Sequence, residues 1–545
     1  MIEFKHKLPS MNIDGKHNGT YNNIELGFPS VLTTDDSKLG LFLRALRNNI
    51  SCERSQIFID GKVMMVDKNW IRDHVHTMKA FKHWEYDIDT FWNFIVDTQR
   101  EDGMFYELIK QMDDIHWKFV NEDCSVFYPD DNLSLVRLEI EADVEYLVVE
   151  GAKHIYRING DIEWLKRVLP RLEKSIEYMT SDKKRWNEEL GLVIRPFTID
   201  TWDFVEYTPN DPERSSWDRR INPDSPMSVM HGDNSGVYDA MNTLSYFNEL
   251  LGNTEKAEYW KNKAAILREN IFKHLWNGKF FMHQYHINHK GIDNLESERL
   301  SLSNTYDMNR GLCTSEQCSC IIEEYLARRK TTNCFAEWFS IDPPYERFSR
   351  YTPGQYVNGA ISPFTAGELA KAAFNNGYEE YGWDIIQRFR EMSEKDKDVF
   401  FLYHVDGRPQ SQGGPSAWGA AALLSAVDEG LAGIVDTGVR YDTMDFSPRF
   451  PVTYYTELRY ITGYEKTSTV VDVRWILEDI GMRYDIYAPS KKINAHIMLP
   501  KGKKCTKLLV NDVEISFVQS RIKDSDYVDA TIWANGKYTK IEVIF

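Results

Sequence analysis

What most constrains this chain is an alternation: a helix, a turn of two to five residues, a second helix, then a long loop. Stretches such as SKLGLFLRALRNNI, TEKAEYWKNKAAILRENIFKHLWN, SPFTAGELAKAAFNNG and YEEYGWDIIQRFREMSE carry apolar residues at 3.6-residue spacing. They end at Gly or Asn signals. About eleven or twelve helices are expected between Ser37 and Gly433, with LVRLEIEADVEYLVVEGAKHIYRINGD read as one of them. Paired helices bury their apolar faces either in an open solenoid or in a ring closed on itself. The loops choose between these. Segments 61–70, 191–233, 331–363 and 399–415 are long and rich in Trp, Asp, Tyr and Pro, while the turns between them are short. One decorated end and one plain end predict a mainly α toroid of helical hairpins with a single cleft.

The flanks differ. Residues 1 to about 35 are polar and Gly/Asn-rich, an irregular arm or short β element. QIFIDGKVMM reads as a hairpin turning at Asp60-Gly61. Beyond Gly433 the period changes to two, with many β-branched residues and turn pairs at Lys501-Gly502 and Asn535-Gly536. The expected division is an arm and first helix over 1–50, a helical domain over 51–435 and a small antiparallel, sandwich-like β-domain over 436–545.

Composition narrows the function. A formal net charge of −18 argues against a nucleic-acid partner, which needs a basic stripe. No apolar run is long enough to span a bilayer, so no membrane partner is expected. The start, MIEFKHKLPS, lacks a charged segment followed by an apolar one, which points to a cytoplasmic protein or a trimmed exported one. Seven Cys without a disulfide-rich spacing favour a reducing compartment. Neither Cys313, Cys318 and Cys320 nor His283, His286 and His289 fall on one face, so no metal is expected. Gly-rich phosphate loops, HExxH and GxSxG are missing, and no organic cofactor is expected. Oligomeric state is not legible. The 15 Trp, 29 Tyr and 28 Phe often stand beside Asp or Glu in turn-like segments, which suits a carbohydrate cleft.

Four stretches carry candidate chemistry. In NWIRDH, Trp70, Arg72 and Asp73 stand at the mouth of a helix, where a guanidinium fork and a carboxylate can grip adjacent sugar hydroxyls. An ion pair beside a core Trp is the alternative. PFTIDTWDFVEY sets Asp200 and Asp203 beside Trp202, an indole face next to acid groups; here Asp200 as a helix cap and Trp202 as core is the rival. His231 and Asp233 follow in MHGDN. FAEWFSIDPPYERFSRYTPGQYVNGA supplies Glu337 as a second carboxylate, with Tyr356 and Asn358. LYHVDG and GGPSAWG supply His404, Asp406 and Trp418, where a core histidine is the commoner fate of His404.

These motifs resemble the six-hairpin (α/α)6-barrel glycosidases, the superfamily of trehalase-like, glucosidase-like, glucoamylase-like and α-L-rhamnosidase-like enzymes. WIRDH is similar to the element that grips the sugar before the scissile bond. TWDF is similar to the segment that bears the general acid, and GQYVNGAISPFTAGELAKAAF and PSAWGAAALLSAVDEGLAGI to the late barrel helices. The likeness spans about residues 50–435, and a small C-terminal β-domain recurs in rhamnosidase-like members. It implies an inverting glycoside hydrolase on an (α/α)6 toroid, acting on an oligosaccharide or glycoside. Asp203 would be the acid, and Trp70, Arg72, Asp73, Trp202, His231, Tyr356, Asn358, His404 and Trp418 would line the sugar site. Many such families carry a base Glu before the last long helix, but FFLYHVDGR has none, so Glu337 or Asp406 is expected in that role. Two rivals stay open: an epimerase or isomerase using His404 and His231, and a non-catalytic carbohydrate-binding relative.

Overall fold

Twelve α-helices among the described residues take two distinct roles. The computed structural model describes residues 27–33, 36–112, 120–202 and 219–545. The helices are α1 (Lys38–Glu53), α2 (Ile71–Phe81), α3 (Thr90–Asp97), α4 (Val144–Asn159), α5 (Ile162–Met179), α6 (His231–Leu250), α7 (Thr254–Leu275), α8 (Ser303–Asn309), α9 (Ser315–Thr331), α10 (Pro363–Asn375), α11 (Glu379–Asp396) and α12 (Ala417–Ser425). A π-helical turn, Ala426–Leu431, extends the last.

The even-numbered helices pack in a cycle: α2 on α4, α4 on α6, α6 on α8, α8 on α10, α10 on α12, and α12 back on α2. The odd ones pack on this cycle, α5 touching α4 and α6, for example, and α11 touching α10. Sequence explains the division. α12, AWGAAALLS, has no charged residue and is buried on every side. α7 buries only Ala257, Trp260, Ala264, Leu267, Ile271 and Leu275, one face at helical spacing.

Each even helix from α2 onward follows a long connection: 54–70, 98–143, 180–230, 276–302, 332–362 and 397–416. The connections leaving them are short: 82–89, 160–161, 251–253, 310–314 and 376–378. The six inner helices therefore all begin at the end where the long loops gather. This is the alternation expected from the sequence.

α1 packs against α12 and α2, because Leu39, Phe42, Leu43, Leu46 and Ile50 form an apolar stripe that needs a partner. α3 is eight residues long, and the chain turns after it through Gly103, at φ +109. One expectation needs correction. Residues 133–143 are not helical. Leu133–Val136 is a strand between Leu108–Gln111 and Ser125–Tyr128, and 137–143 runs on without helix.

The Asp60-Gly61 hairpin forms as expected, joining Arg54–Ile59 to Lys62–Asp67. The C-terminal region folds into a seven-stranded and a five-stranded sheet. The first is antiparallel and takes in Ser30–Thr33 from the arm, paired with Glu457–Tyr464. The second contains one parallel pair, Thr443–Phe446 with Lys492–Met498, against the all-antiparallel expectation.

The close approach of α10 and α12 has a backbone cause. A Cβ on Gly367 of α10 would lie 2.4 Å from the Ala422 carbonyl carbon and 2.6 Å from the Leu423 nitrogen of α12. Gly367→Ala is therefore expected to destabilise the protein by about 1–3 kcal/mol through overpacking, read as a lower denaturant midpoint. An unchanged midpoint would show that the two helices are not so close.

Candidate active site

The first turns of the inner helices and the loops before them bring together a set of buried charges. Two left-handed residues, Lys68 (φ +48) and Asn69 (φ +64), turn the chain into Trp70, whose strand-like bridge to Leu108 fixes the start of α2. Two residues on, Arg72 points its guanidinium at the end of the 137–143 segment. Its Nε donates to Asp143 Oδ2 at 2.5 Å and its Nη2 to Asp143 Oδ1 at 2.8 Å, and Nη2 also bonds Glu141. Arg195 reaches the same carboxylates from the strand Leu192–Pro196, 3.5 Å from Glu141 and 3.5 Å from Asp233 in the first turn of α6. Behind them, Arg137 donates to Glu145 at 3.1 Å and stands 3.7 Å from Glu107.

These charges alter one another. Burial pushes the Asp143 carboxyl up, but Arg72, with Arg195 and Arg137 behind it, holds it below the ordinary carboxylate range. For Asp233 burial wins over Arg195, and its pKa is pushed up to about 6. Burial and the neighbouring Glu141 hold Glu107 well above its usual value. Asp73 is half-buried and also raised, by burial first, against Lys68 and Arg72. An oxygen of Asp233 is buried without a hydrogen-bond partner among the described residues.

An aromatic wall faces this polar set. Trp418, in the first turn of α12, stacks on His76 of α2 with centroids 4.1 Å apart and planes 6° apart, and on Phe364 at 4.9 Å. Phe364, Phe401, Trp202 and Tyr356 continue the wall with centroids 5.3–6.3 Å apart. The walls meet where Arg195 Nη2 donates to the Trp202 carbonyl at 2.8 Å. Guanidiniums, carboxylates and ring faces together are what a polyhydroxylated ring requires: forks for hydroxyls, apolar planes for C–H faces.

The sequence-derived residues divide accordingly. Trp70, Arg72, Asp73, Trp202, Tyr356 and Trp418 belong to this assembly. Asp203 lies outside the described residues. Glu337 does not face it: fully buried, it accepts from Tyr381 Oη at 2.6 Å and from Arg388 at 2.8 and 3.0 Å, both on the outer helix α11. Asp406 is exposed in a hairpin turn, bound to Arg408 at 2.8 Å. His404 begins that turn, its N–H donating to the Arg408 carbonyl. Both nitrogens of His231 are taken, Nδ1 by Asp307 at 2.5 Å and Nε2 by Ser301 at 2.9 Å. Asn358 spends its amide on the backbone of Tyr345 and Tyr351. Protein partners absorb the side chains of Glu337, Asp406, His231 and Asn358, while His404 is fixed in the turn through its backbone. Asp200 does act structurally, accepting the Ser303 N–H at the start of α8.

The residues that were passed over are Glu107, Glu141, Asp143 and Arg195. A signal existed for two of them. In Arg137-Leu-Glu139-Ile-Glu141-Ala-Asp143, carboxylates alternate with apolar residues at period two, which a helix does not explain.

Removing one partner of a buried ion pair strands the other charge, at about 3–5 kcal/mol. Arg72→Gln is expected to lose about that much at neutral pH. Because the folded-state pKa of Asp143 is depressed, its contribution exists above the unfolded pKa and vanishes as pH falls. The deficit of the variant should therefore shrink as pH falls below about 4 toward the depressed folded-state value, in denaturant titrations across pH. A deficit independent of pH would contradict the pairing.

A trehalase family model matches residues 228–338, from the strand before α6 through α7, α8 and α9. No curated protein matches the sequence. Among solved structures, the chain is similar to an α-L-rhamnosidase from Dictyoglumus thermophilum (TM-score 0.57, 12% identity, covering 94% of this chain and 50% of that one). It is also similar to an α-L-rhamnosidase from Streptomyces avermitilis complexed with L-rhamnose (TM-score 0.58, 12% identity, 94% and 42%). A GH78 family rhamnosidase from Bacillus sp. GL1 gives a TM-score of 0.57 at 14% identity, with 87% and 43% covered. At such identities the likeness is one of fold, and the chain spans half or less of these proteins' length.

Proposed function

We propose that this chain, which shares its fold with six-hairpin glycosidases, is a glycoside hydrolase built on an (α/α)6 toroid, cleaving a glycosidic bond with two carboxylates. The observation that carries the reading is the meeting of a buried guanidinium and carboxylate set with an aromatic wall at the loop-bearing ends of six inner helices. Asp203 is assigned as the general acid, from its place directly after Trp202. Asp73 takes ring hydroxyls, supported by its half-exposed position beside Arg72. Arg72 spends Nε and Nη2 on carboxylates and keeps Nη1 without a protein partner among the described residues, so it can both orient Asp143 and donate to a sugar. Trp70 and Trp418 offer ring faces.

The base is reassigned. With Glu337 locked by Arg388 and Asp406 in an outward turn, the second carboxylate is drawn from the inner-helix set, and Asp233 suits it best. A pKa of about 6 places it near the operating range of a general base. Inversion then requires a separation from Asp203 of roughly 6.5–9.5 Å, room for one water. The rhamnosidase likeness puts 6-deoxyhexosides first among substrates to try.

The loop before α12 favours a second reading. Among the described residues it sets Phe401, Gln410 and Gln412 against Trp202, Tyr356 and Tyr351 while its Asp406 is exposed, as in a binding protein that has lost hydrolysis. One experiment separates the two. Parent, Asp203→Asn, Asp233→Asn and Asp406→Asn are assayed on aryl α-L-rhamnosides, aryl glucosides and trehalose, with the first-formed anomer read by proton NMR. The proposal predicts turnover by the parent with inverted configuration, losses of about 10²–10⁴-fold for Asp203→Asn and Asp233→Asn, and full activity for Asp406→Asn. Sugar binding with equal, background-level rates in all four would establish the binding protein instead.

A further inference from the structure

The opposite end of the helical ring holds a second polar chamber. A cavity of about 380 Å³ lies between the C-terminal halves of the inner helices and the segment that leads into the C-terminal sheets. Lys79 of α2, Arg157 of α4 and Lys371 of α10 line it from the helices, and Asp445, Ser447 and Arg449 from beyond them. None of the charges assigned to the cleft lines it. The exposed Asn375 also lines it, so the chamber reaches the surface.

Its carboxylates are already engaged. Glu368 holds Lys79 at 2.8 Å, Glu429 holds Lys82 at 2.9 Å and also Lys371, and Asp239 holds Lys153 at 3.4 Å. Glu150 lies 3.7 Å from Lys79, and Asp445 accepts from Asn494 at 2.8 Å. Three guanidiniums in the wall have no carboxylate within ion-pair distance among the described residues: Arg157, Arg310 and Arg449. Arg310 is otherwise employed, donating to the Gly232 carbonyl and to Ser235 and stacking on Tyr146. The other two are not.

Arg449 is 4% exposed, yet only its Nη1 has partners, the Gly430 and Ser447 carbonyls, and its Nε is buried without one. Burial, little relieved by the distant Glu379, pushes its pKa down to about 10. The Nε of Arg157 is buried and unpartnered as well. Asp436 acts on Arg157 and Glu379 on Arg449 only through space, and two buried Nε groups left without hydrogen-bond partners beside a cavity are costly unless something negative enters it. Of the rest of the wall, Tyr306 accepts from Trp418 and keeps its O–H to donate, Asn309 spends its amide N–H groups on Glu368 and keeps its oxygen, and Ser447 adds a hydroxyl for a polyol.

We propose that this chamber is a second ligand site, separate from the glycosidase cleft, which takes a small phosphorylated polyol whose phosphate pairs with Arg157 and Arg449. The volume is at the lower end of those that hold small molecules. Phosphate oxygens match planar guanidinium forks. The site does not depend on the catalytic reading, since binding alone reports it.

The test is a thermal-shift and calorimetric titration of the full chain with inorganic phosphate, glucose 6-phosphate and glucose, each against sodium chloride of equal ionic strength. Glucose 6-phosphate is expected to raise the midpoint beyond the salt control and to bind with measurable heat, with phosphate weaker and glucose inert. Arg157→Gln should weaken glucose 6-phosphate at least tenfold, and Arg449→Gln likewise. Arg157 is only partly buried, so its variant decides the matter if Arg449→Gln does not fold. Arg167→Gln, an exposed arginine on α5, should leave binding intact. A response no larger than with sodium chloride, or one unchanged in Arg157→Gln, overturns the proposal.

Discussion

The guanidinium of Arg72, gripping Asp143 in a fork and bonding Glu141, is the interaction on which the decorated end of this molecule depends. It ties the first inner helix to the segment that starts the second. Through Glu141 it is joined to Arg195, and through Arg195 to Asp233 and the Trp202 carbonyl. Without a positive charge there, three carboxylates would be buried beside one another, and the helix starts they mark would be forced apart or neutralised. The cation that stabilises the ring also leaves one nitrogen for a ligand. Structure and site are thus one arrangement.

The closed cycle gives that arrangement its place. The inner helices bury much of their length against one another, so the charges of the two chambers come from their first turns and from residues farther along them. The N-terminal ends, with a partial positive charge, hold Asp143 and Asp233. The C-terminal halves hold Lys79, Lys153, Arg157 and Lys371, lysines and arginines where the dipole favours them. Long loops roof the first end and the C-terminal segment closes on the second. Two chemically distinct chambers follow from one packing rule.

Much of this was legible in the sequence, and the misses have definite causes. Helical spacing in α7 and α10 and the alternation of long and short connections foretold helices in pairs, because amphipathic spacing is set locally. Trp70, Arg72, Asp73 and Trp418 each sit in the first turn of an inner helix or one residue before it, a position the sequence pattern marks. Glu337 and Asp406 were chosen as carboxylates in irregular segments, but whether a carboxylate faces a cleft or an Arg388 on another helix is a tertiary fact. Asp143 and Glu141 were hidden by reading 135–159 as one helix. Their period-two spacing was visible, and their role came only with Arg72 and Arg195, 70 and 50 residues away.

The most direct test of the central claim is a crystal structure of Asp203→Asn soaked with an uncleaved aryl glycoside. The account predicts one sugar ring between the faces of Trp70 and Trp418, its hydroxyls on Asp73 and Arg72 Nη1, and the glycosidic oxygen within hydrogen-bond distance of residue 203. A sugar bound elsewhere, with the Arg72 cluster untouched by ligand, would contradict it.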